Sequence, residues 1–249
     1  MSSDARVSII TVCRNAAETI EDTLKSVRDQ SCKDIEHIVI DGNSTDATGT
    51  ILETYRSGLA QMLSEPDGGI YDAMNKGLGL AQGRFVLFLN ADDSLVHPRV
   101  VETVLAAIDA QGDCADVYCG GVVWSCPEEG WSRARRLARI NRGVLYRSSL
   151  PHQAMFVRKE AFERVGGFDT SYRILGDYEW CLRALLTHGC RFAPIDVLVS
   201  VFMQGGVSSD AGSADEFSDE HQRALRQHFS AMDLLRYRAL TRAKKVLGI

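Results

Sequence analysis

The sequence predicts an α/β chain with a mostly parallel central sheet flanked by helices, and three observations carry that prediction. Short β-branched, apolar runs alternate with stretches whose apolar residues recur every three or four positions, the pattern of successive strand and helix units. The run Arg84-Phe85-Val86-Leu87-Phe88-Leu89-Asn90-Ala91-Asp92-Asp93 is too apolar for a half-solvated strand and reads as one buried on both faces. It ends in two carboxylates, which places acids at the C-terminal rim of the sheet, where open α/β sheets bind ligands.

The whole chain sets bounds on function. Its 249 residues, 45% of them apolar, suffice for a sizeable core. A formal charge of −5 argues against general nucleic-acid binding. Seven scattered cysteines form no Cys-x-x-Cys pair and no His-x-Cys spacing that would assemble a zinc site, so a reducing compartment is expected. Ser2 to Arg6 lead straight into a strand without a basic-then-apolar leader, and no run is long enough to span a membrane. A cytoplasmic protein is therefore expected, with any membrane contact made from the surface.

Val7 to Val12 is β-branched and apolar, hence a buried strand. Asn15, with Glu18 three residues on, predicts a capped helix whose inner face is Ile20, Leu24 and Val27. Thr11, Arg14 and Asn15 then sit where backbone N–H groups favour a nucleotide, although Asn15 serves equally as a cap alone. A second strand, Ile35 to Ile40, ends in Asp41-Gly42, and Ser44 or Thr45 starts a helix with Ile51, Leu52 and Tyr55. Asp41 either meets a base or ribose or bonds its own loop. Met62-Leu63-Ser64 is a short third strand, and Ile70, Ala73, Met74, Gly77, Leu78 and Ala81 mark the next helix. Lys76 on that helix either neutralises phosphate or faces solvent.

At the strand end, Asp92 and Asp93 suit Mg²⁺ or Mn²⁺, which take one or two carboxylates plus substrate phosphates; the bland alternative is an Asp-Asp-Ser turn. Pro98 opens a helix with Val100, Val101, Val104, Leu105 and Ile108 inside, and Val117 to Trp124 is another strand. Between Pro127 and Ser149, Arg133, Arg135, Arg136, Arg139, Arg142 and Arg147 read as a mobile insertion near the site's mouth, solvated or facing an anion. Leu150 to Val157 precedes a short helix stopped by Gly166. Leu175-Gly176-Asp177-Tyr178-Glu179-Trp180 starts a helix with Cys181, Leu182, Leu185 and Leu186 inside, and Val197 to Met203 is a last strand before the flexible Gln204 to Ser209. Beyond Asp210 the chain reads as helical, with Arg236, Arg238, Arg242, Lys244 and Lys245 among leucines, a pattern that can lie on anionic lipid.

Four motifs stand in order: Val7 to Asn15, Ile38 to Asp46, Ser64 to Gly77, and Leu89-Asn90-Ala91-Asp92-Asp93. Together they resemble the family 2 glycosyltransferases over about the first 205 residues. The resemblance implies a GT-A, Rossmann-like nucleotide-diphospho-sugar transferase fold. It implies a domain over 1–210, with a nucleotide-sugar half (1–110) and an acceptor half (111–210), followed by a helical basic tail (211–249). Thr11, Arg14, Asn15, Asp41, Asp67, Lys76, Ala91 and Asp92 would face the nucleotide, and Asp92 and Asp93 a Mn²⁺ or Mg²⁺ ion. His152 and Glu179 would meet the acceptor, and Asp177 would be the catalytic base. The chain departs from the common pattern at Asn90, where many members have aspartate, and at Gly176, where glutamate is common.

The activity implied is inverting transfer of a sugar from a nucleotide diphosphate, UDP first, to a hydroxyl of a glycan or lipid-linked acceptor in polysaccharide biosynthesis. An anionic membrane surface is a candidate partner, on the inner face of the membrane. The rival readings are a sugar nucleotidyltransferase and a nucleotide-sugar-binding protein of the same fold without the chemistry.

Overall fold

Val7–Cys13, buried along its whole length, is the strand β1 on which the nucleotide-side half is built. The computed structural model describes residues 6–126, 129–136, 140–203 and 214–247, with 241–247 as backbone only. The remaining strands are β2 Ile35–Asp41, β3 Gln61–Ser64, β4 Phe85–Phe88, β5 Asp93–Leu95, β6 Val117–Cys126, β7 Trp131–Arg135, β8 Met155–Arg158 and β9 Phe192–Met203. The first five helices are α1 Ile20–Arg28, α2 Thr48–Tyr55, α3 Ile70–Leu80, α4 Val100–Ala110 and α5 Arg142–Arg147. They are followed by α6 Lys159–Val165, α7 Gly176–Leu182, α8 Ala214–His228 and α9 Ala231–Leu247.

The described strands form one sheet in the order β3-β2-β1-β4-β8-β6-β9-β5, with β7 paired to β6. The four strands β3-β2-β1-β4 run parallel, and β6 pairs β9 in parallel, whereas β8 joins β4 to β6 antiparallel to both. The result is the α/β architecture expected, with a parallel side, where the sequence places the nucleotide, and a mixed side, where it places the acceptor. Gly77 shows how closely α3 lies on the sheet: a Cβ there would come 2.4 Å from Ile10 Cγ2. On that face Ile10, Ile38, Ile40, Met74, Phe88, Phe162 and Trp180 share one apolar cluster, while Ile9, Leu87, Val104 and Ile108 anchor another with α4.

Several elements differ from the sequence reading. Asp93 does not begin a loop: its strand β5 pairs with β9, with Asp93 opposite Phe202. The arginine-rich stretch contains β7, paired along β6, and α5, whose Arg142 bonds Asp233 of α9 at 2.6 Å. Arg136 pairs with Asp196 at 3.3 Å, so this stretch is built into the sheet edge instead of forming a loose insertion. Helix α8, expected to be tail, buries Ala224 and Leu225, and the residue after it, Phe229, in the cluster that holds Trp180. Arg139 and the Gln204 to Ser209 turn lie outside the described residues, as do the side chains of Arg242, Lys244, Lys245, Val246 and Leu247. Among the described residues no helix is long and apolar enough to cross a membrane.

Candidate active site

Asp177 is the second residue of α7, and three distant elements converge on it. The Tyr71 hydroxyl of α3 donates to the Ile174 carbonyl at 2.6 Å and lies 3.2 Å from Asp177 Oδ1. His152 Nδ1 lies 3.3 Å from Asp177 Oδ2, and its other nitrogen, Nε2, is 3.2 Å from Asn90 Nδ2 at the end of β4. An ionised carboxylate only accepts, so Nδ1 carries the proton toward Asp177, and in the neutral ring Nε2 accepts from the Asn90 amide. Position 90 thus has a partner that an aspartate there would meet differently. Gly176 is explained by the same cluster, because a Cβ on it would sit 2.8 Å from Tyr71 ring carbons. Any larger side chain at this position would take the room in which Tyr71 packs against the helix start.

Electrostatics tie this group to the acidic pair. Burial pulls the His152 imidazole down, but the hydrogen bond and charge of Asp177 and the charges of Asp93 and Asp92 prevail, so its pKa is raised. Burial raises Asp92 as well, and pushes Asp93, 2% exposed, up to about 8. Asp93 Oδ1 and Asn90 Oδ1 are buried without a hydrogen-bond partner. Desolvated carboxylates with an unmatched oxygen form a donor set that fits a hard divalent cation. Among the described residues no three His, Cys, Asp or Glu side chains gather as a complete metal cage. Such an ion would therefore depend on phosphate oxygens and water for its other positions, the habit of Mg²⁺.

The nucleotide-side residues divide into those facing outward and those already occupied. A Cβ on Gly42 would lie 2.3 Å from Asp67 Oδ2 and 3.4 Å from Arg14 Cδ, so this glycine lets an acid and an exposed arginine converge over the β2 turn. Asp67 also accepts from the Gly69 N–H at 2.9 Å, where Gly69 has φ 124°, a conformation side chains rarely adopt. Thr11, in contrast, is fully buried with its hydroxyl 3.0 Å from His37, a ring that burial lowers to about 4 and keeps neutral. It does not face a nucleotide. Asp41 is 2% exposed and accepts from Ser44 Oγ at 2.5 Å and Ser64 Oγ at 2.6 Å, which makes it the organiser of its own turn.

Asn15 is not the expected cap, since α1 begins at Ile20 with Thr19 before it. It takes φ 51°, accepts from the Thr45 N–H at 2.9 Å and donates its own N–H to Ser44 Oγ at 2.8 Å. The next two N–H groups, of Ala16 and Ala17, are held by Thr48 and Asp46, so the predicted nucleotide-binding amides are spent on the neighbouring loop. Lys76 pairs with Glu65 at 2.8 Å and Asp72 at 3.4 Å. Ala91 is buried against Cys13, Ile20 and Leu24 and carries no polar side chain to the site.

Glu179 is corrected too. It is 4% exposed, and its oxygens accept from Arg183 at 3.0 Å and lie 2.9 Å from His228 Nε2, so it braces α7 against α8 and is not presented to an acceptor. Two residues that sequence reasoning passed over matter here. Besides Tyr71, Asn75 exchanges bonds with the Phe168 backbone, 2.9 Å from Nδ2 to O and 2.8 Å from N to Oδ1. The signal was their spacing: positions 71 and 75 lie one turn apart, polar-tipped beside an otherwise apolar helix face.

Comparison with known proteins bears on family and fold. The model of the family described as "Glycosyl transferase family 2" matches residues 8–169. A PGL/p-HBAD biosynthesis glycosyltransferase of Mycobacterium bovis (strain BCG / Pasteur 1173P2) is 32% identical over 206 residues, covering 81% of this chain and 78% of the relative. Among solved structures, Staphylococcus aureus TarS 1-349 in complex with UDP-GlcNAc superposes with a TM-score of 0.67 at 23% identity, over 83% of this chain and 61% of that one. The mannosyltransferase PcManGT of Pyrobaculum calidifontis, in complex with GDP-Man and Mn²⁺, gives 0.60 at 21% identity, over 93% of this chain and 64% of its own. Both likenesses show the fold, GT-A.

Proposed function

This chain belongs to glycosyl transferase family 2 and is a glycosyltransferase, and we propose that it moves a sugar from a nucleotide diphosphate to an acceptor hydroxyl with inversion, Asp177 acting as base. The observation that carries the reading is the Asp177 carboxylate, approached at one oxygen by Tyr71 and held at the other by His152, which is itself in electrostatic reach of the Asp92–Asp93 pair. A base so fixed can take the acceptor proton while the anomeric carbon is attacked from the face opposite the leaving group. His152 keeps the carboxylate in place and spans the gap to the strand end that carries Asn90. A Mn²⁺ or Mg²⁺ ion would be held by Asp92, with the unpartnered Asp93 oxygen as second donor, and would supply positive charge at the leaving diphosphate.

UDP is the first nucleotide to test, because a TarS structure holds UDP-GlcNAc; PcManGT with Mn²⁺ supports the divalent ion. The mycobacterial relative named for PGL/p-HBAD biosynthesis supports a glycan or lipid-linked acceptor. Met232, Leu235 and Leu240 are exposed on α9 beside Arg236 and Arg238, which supports a peripheral seat on an anionic, inner membrane face.

A protein that binds the nucleotide sugar without the chemistry is the second reading, favoured by Asn90 and Gly176. Both positions are fitted to neighbours here, Asn90 to His152 and Gly176 to the Tyr71 ring, which supports the first reading. A panel of nucleotide diphosphate sugars, screened with Mn²⁺ for release of the nucleoside diphosphate beside calorimetry of UDP binding, separates the readings. Metal-dependent turnover of a UDP-sugar is expected. UDP binding with no turnover across the panel would establish the second.

A further inference from the structure

The segment that delivers Asp177 is gripped from behind by α8. Backbone N–H groups of Arg173, Ile174 and Leu175 all donate to one carboxylate, Glu220, at 2.5, 3.0 and 2.8 Å. Glu220 is 8% exposed, in a part of the chain that no motif covers. Its bonds are charge-assisted and fix three consecutive peptides immediately before Gly176 and Asp177. The middle residue of the three is held from the other side as well, for the Ile174 carbonyl accepts from the Tyr71 hydroxyl, the group 3.2 Å from Asp177. Ile174 is thus pinned at its N–H by α8 and at its C=O by α3.

The same face of α8 continues the grip. Arg223 stacks over Tyr172 with 4.2 Å to the ring centroid, Gln227 accepts from the Tyr172 hydroxyl at 2.6 Å, and His228 lies 2.9 Å from Glu179 Oε1. Positions 220, 223, 227 and 228 share one side of a helix.

We propose that Glu220 is a positioning residue for transfer: through Arg173, Ile174 and Leu175 it sets where the Asp177 carboxylate stands against His152 and the acceptor hydroxyl. This rests on the reading of Asp177 as base, and the C-terminal helix α8 becomes part of the acceptor machinery. A displacement of about 1 Å in a reacting group costs about 10²-fold in rate, so a rigid mount is worth a buried carboxylate.

The test compares wild type with Glu220→Gln, which keeps shape but can serve only one side of the amide trio, and Glu220→Ala. Three quantities are read well below the melting temperature. Hydrogen exchange at residues 173–175 should speed up by at least about tenfold, and the downfield ring N–H resonance of His152 should move as Asp177 shifts away. UDP affinity with Mn²⁺ should stay put, while kcat for the UDP-sugar chosen from the panel falls about 10- to 10²-fold at unchanged donor KM. Unchanged exchange, an unmoved His152 resonance, or faster exchange with normal kcat would each overturn the proposal. Exchange and the resonance need no substrate. An inactive wild type with both signals moved in the variants would therefore sink the base reading and leave the mount standing.

Discussion

The two sides of the sheet treat their polar residues in opposite ways. On the parallel nucleotide side, strand-end residues are largely consumed by neighbouring loops: Asp41 by Ser44 and Ser64, Asn15 by Ser44 and Thr45, Thr11 by His37. On the acceptor side, Asp177 is approached by Tyr71, 106 residues away in sequence, and by His152, 25 residues away, with Glu220 holding the backbone ahead of it. Asp41, whose partners are serine hydroxyls of its own turn and of the adjoining strand end, first stabilises that rim. Asp177 lies on a short helix in a mixed region, and its position is imposed by α3 and α8.

If this contrast holds, substitutions on the acceptor side should damage rate and those on the nucleotide side should damage stability. The largest effect is expected for Asp177→Asn, which keeps size and much of the hydrogen bonding but cannot take the proton. Single-turnover transfer should fall about 10²- to 10⁴-fold with UDP affinity unchanged. A near-normal rate would move the base elsewhere. Next comes Gly176→Glu, which restores the residue common in the family. Its Cβ alone would meet the Tyr71 ring at 2.8 Å, so transfer should drop, by about 10²-fold, where the family pattern would forecast a gain.

On the other side, Asp41→Ala removes a buried acceptor from two serines and should cost about 1–3 kcal/mol in a urea titration, with UDP affinity little changed. A loss of UDP affinity beyond about tenfold at unchanged stability would restore Asp41 to the nucleoside and erase the contrast. The effect that leaves the rate untouched is a pH slope in stability. Asp93 is raised from 3.8 to about 8, so between these values the metal-free folded protein binds more protons than the unfolded one, and stability falls as pH rises. His152, raised above 6.5, adds in the same direction, its stabilisation being complete below 6.5 and lost through its higher folded value. The Asp93 slope is at most about 1.4 kcal/mol per pH unit, should flatten in Asp93→Asn, and is read from melting curves between pH 5 and 8.

Much of the fold was legible because apolar periodicity reports burial directly. Val7 to Val12, Phe85 to Phe88 and the stripe Val100 to Ile108 became elements where expected. Strands β5 and β7 were not, since Asp93-Ser94-Leu95 is short with turn chemistry, and Trp131–Arg135 is nearly all exposed and held by pairing to β6. At the site, residue types after strand ends and at a helix start singled out Asp92, Asp67 and Asp177, but no local pattern distinguishes an acid open to a ligand from one satisfied by its own loop. Thr11, Asp41 and Glu179 look the same in sequence as residues that face a ligand. Glu220 had no signal at all, because its partners are backbone N–H groups, which every residue but proline supplies.

One carboxylate, Asp177, is proposed to serve a direct displacement at the anomeric carbon. That displacement is tested most directly by the anomeric configuration of the first product, read by proton NMR before equilibration, from an α-linked nucleotide sugar that the enzyme turns over. A β-linked product is predicted, because a single attack from the face opposite the diphosphate inverts the centre. An α-linked product would require a second displacement or a front-face route, and would contradict the account.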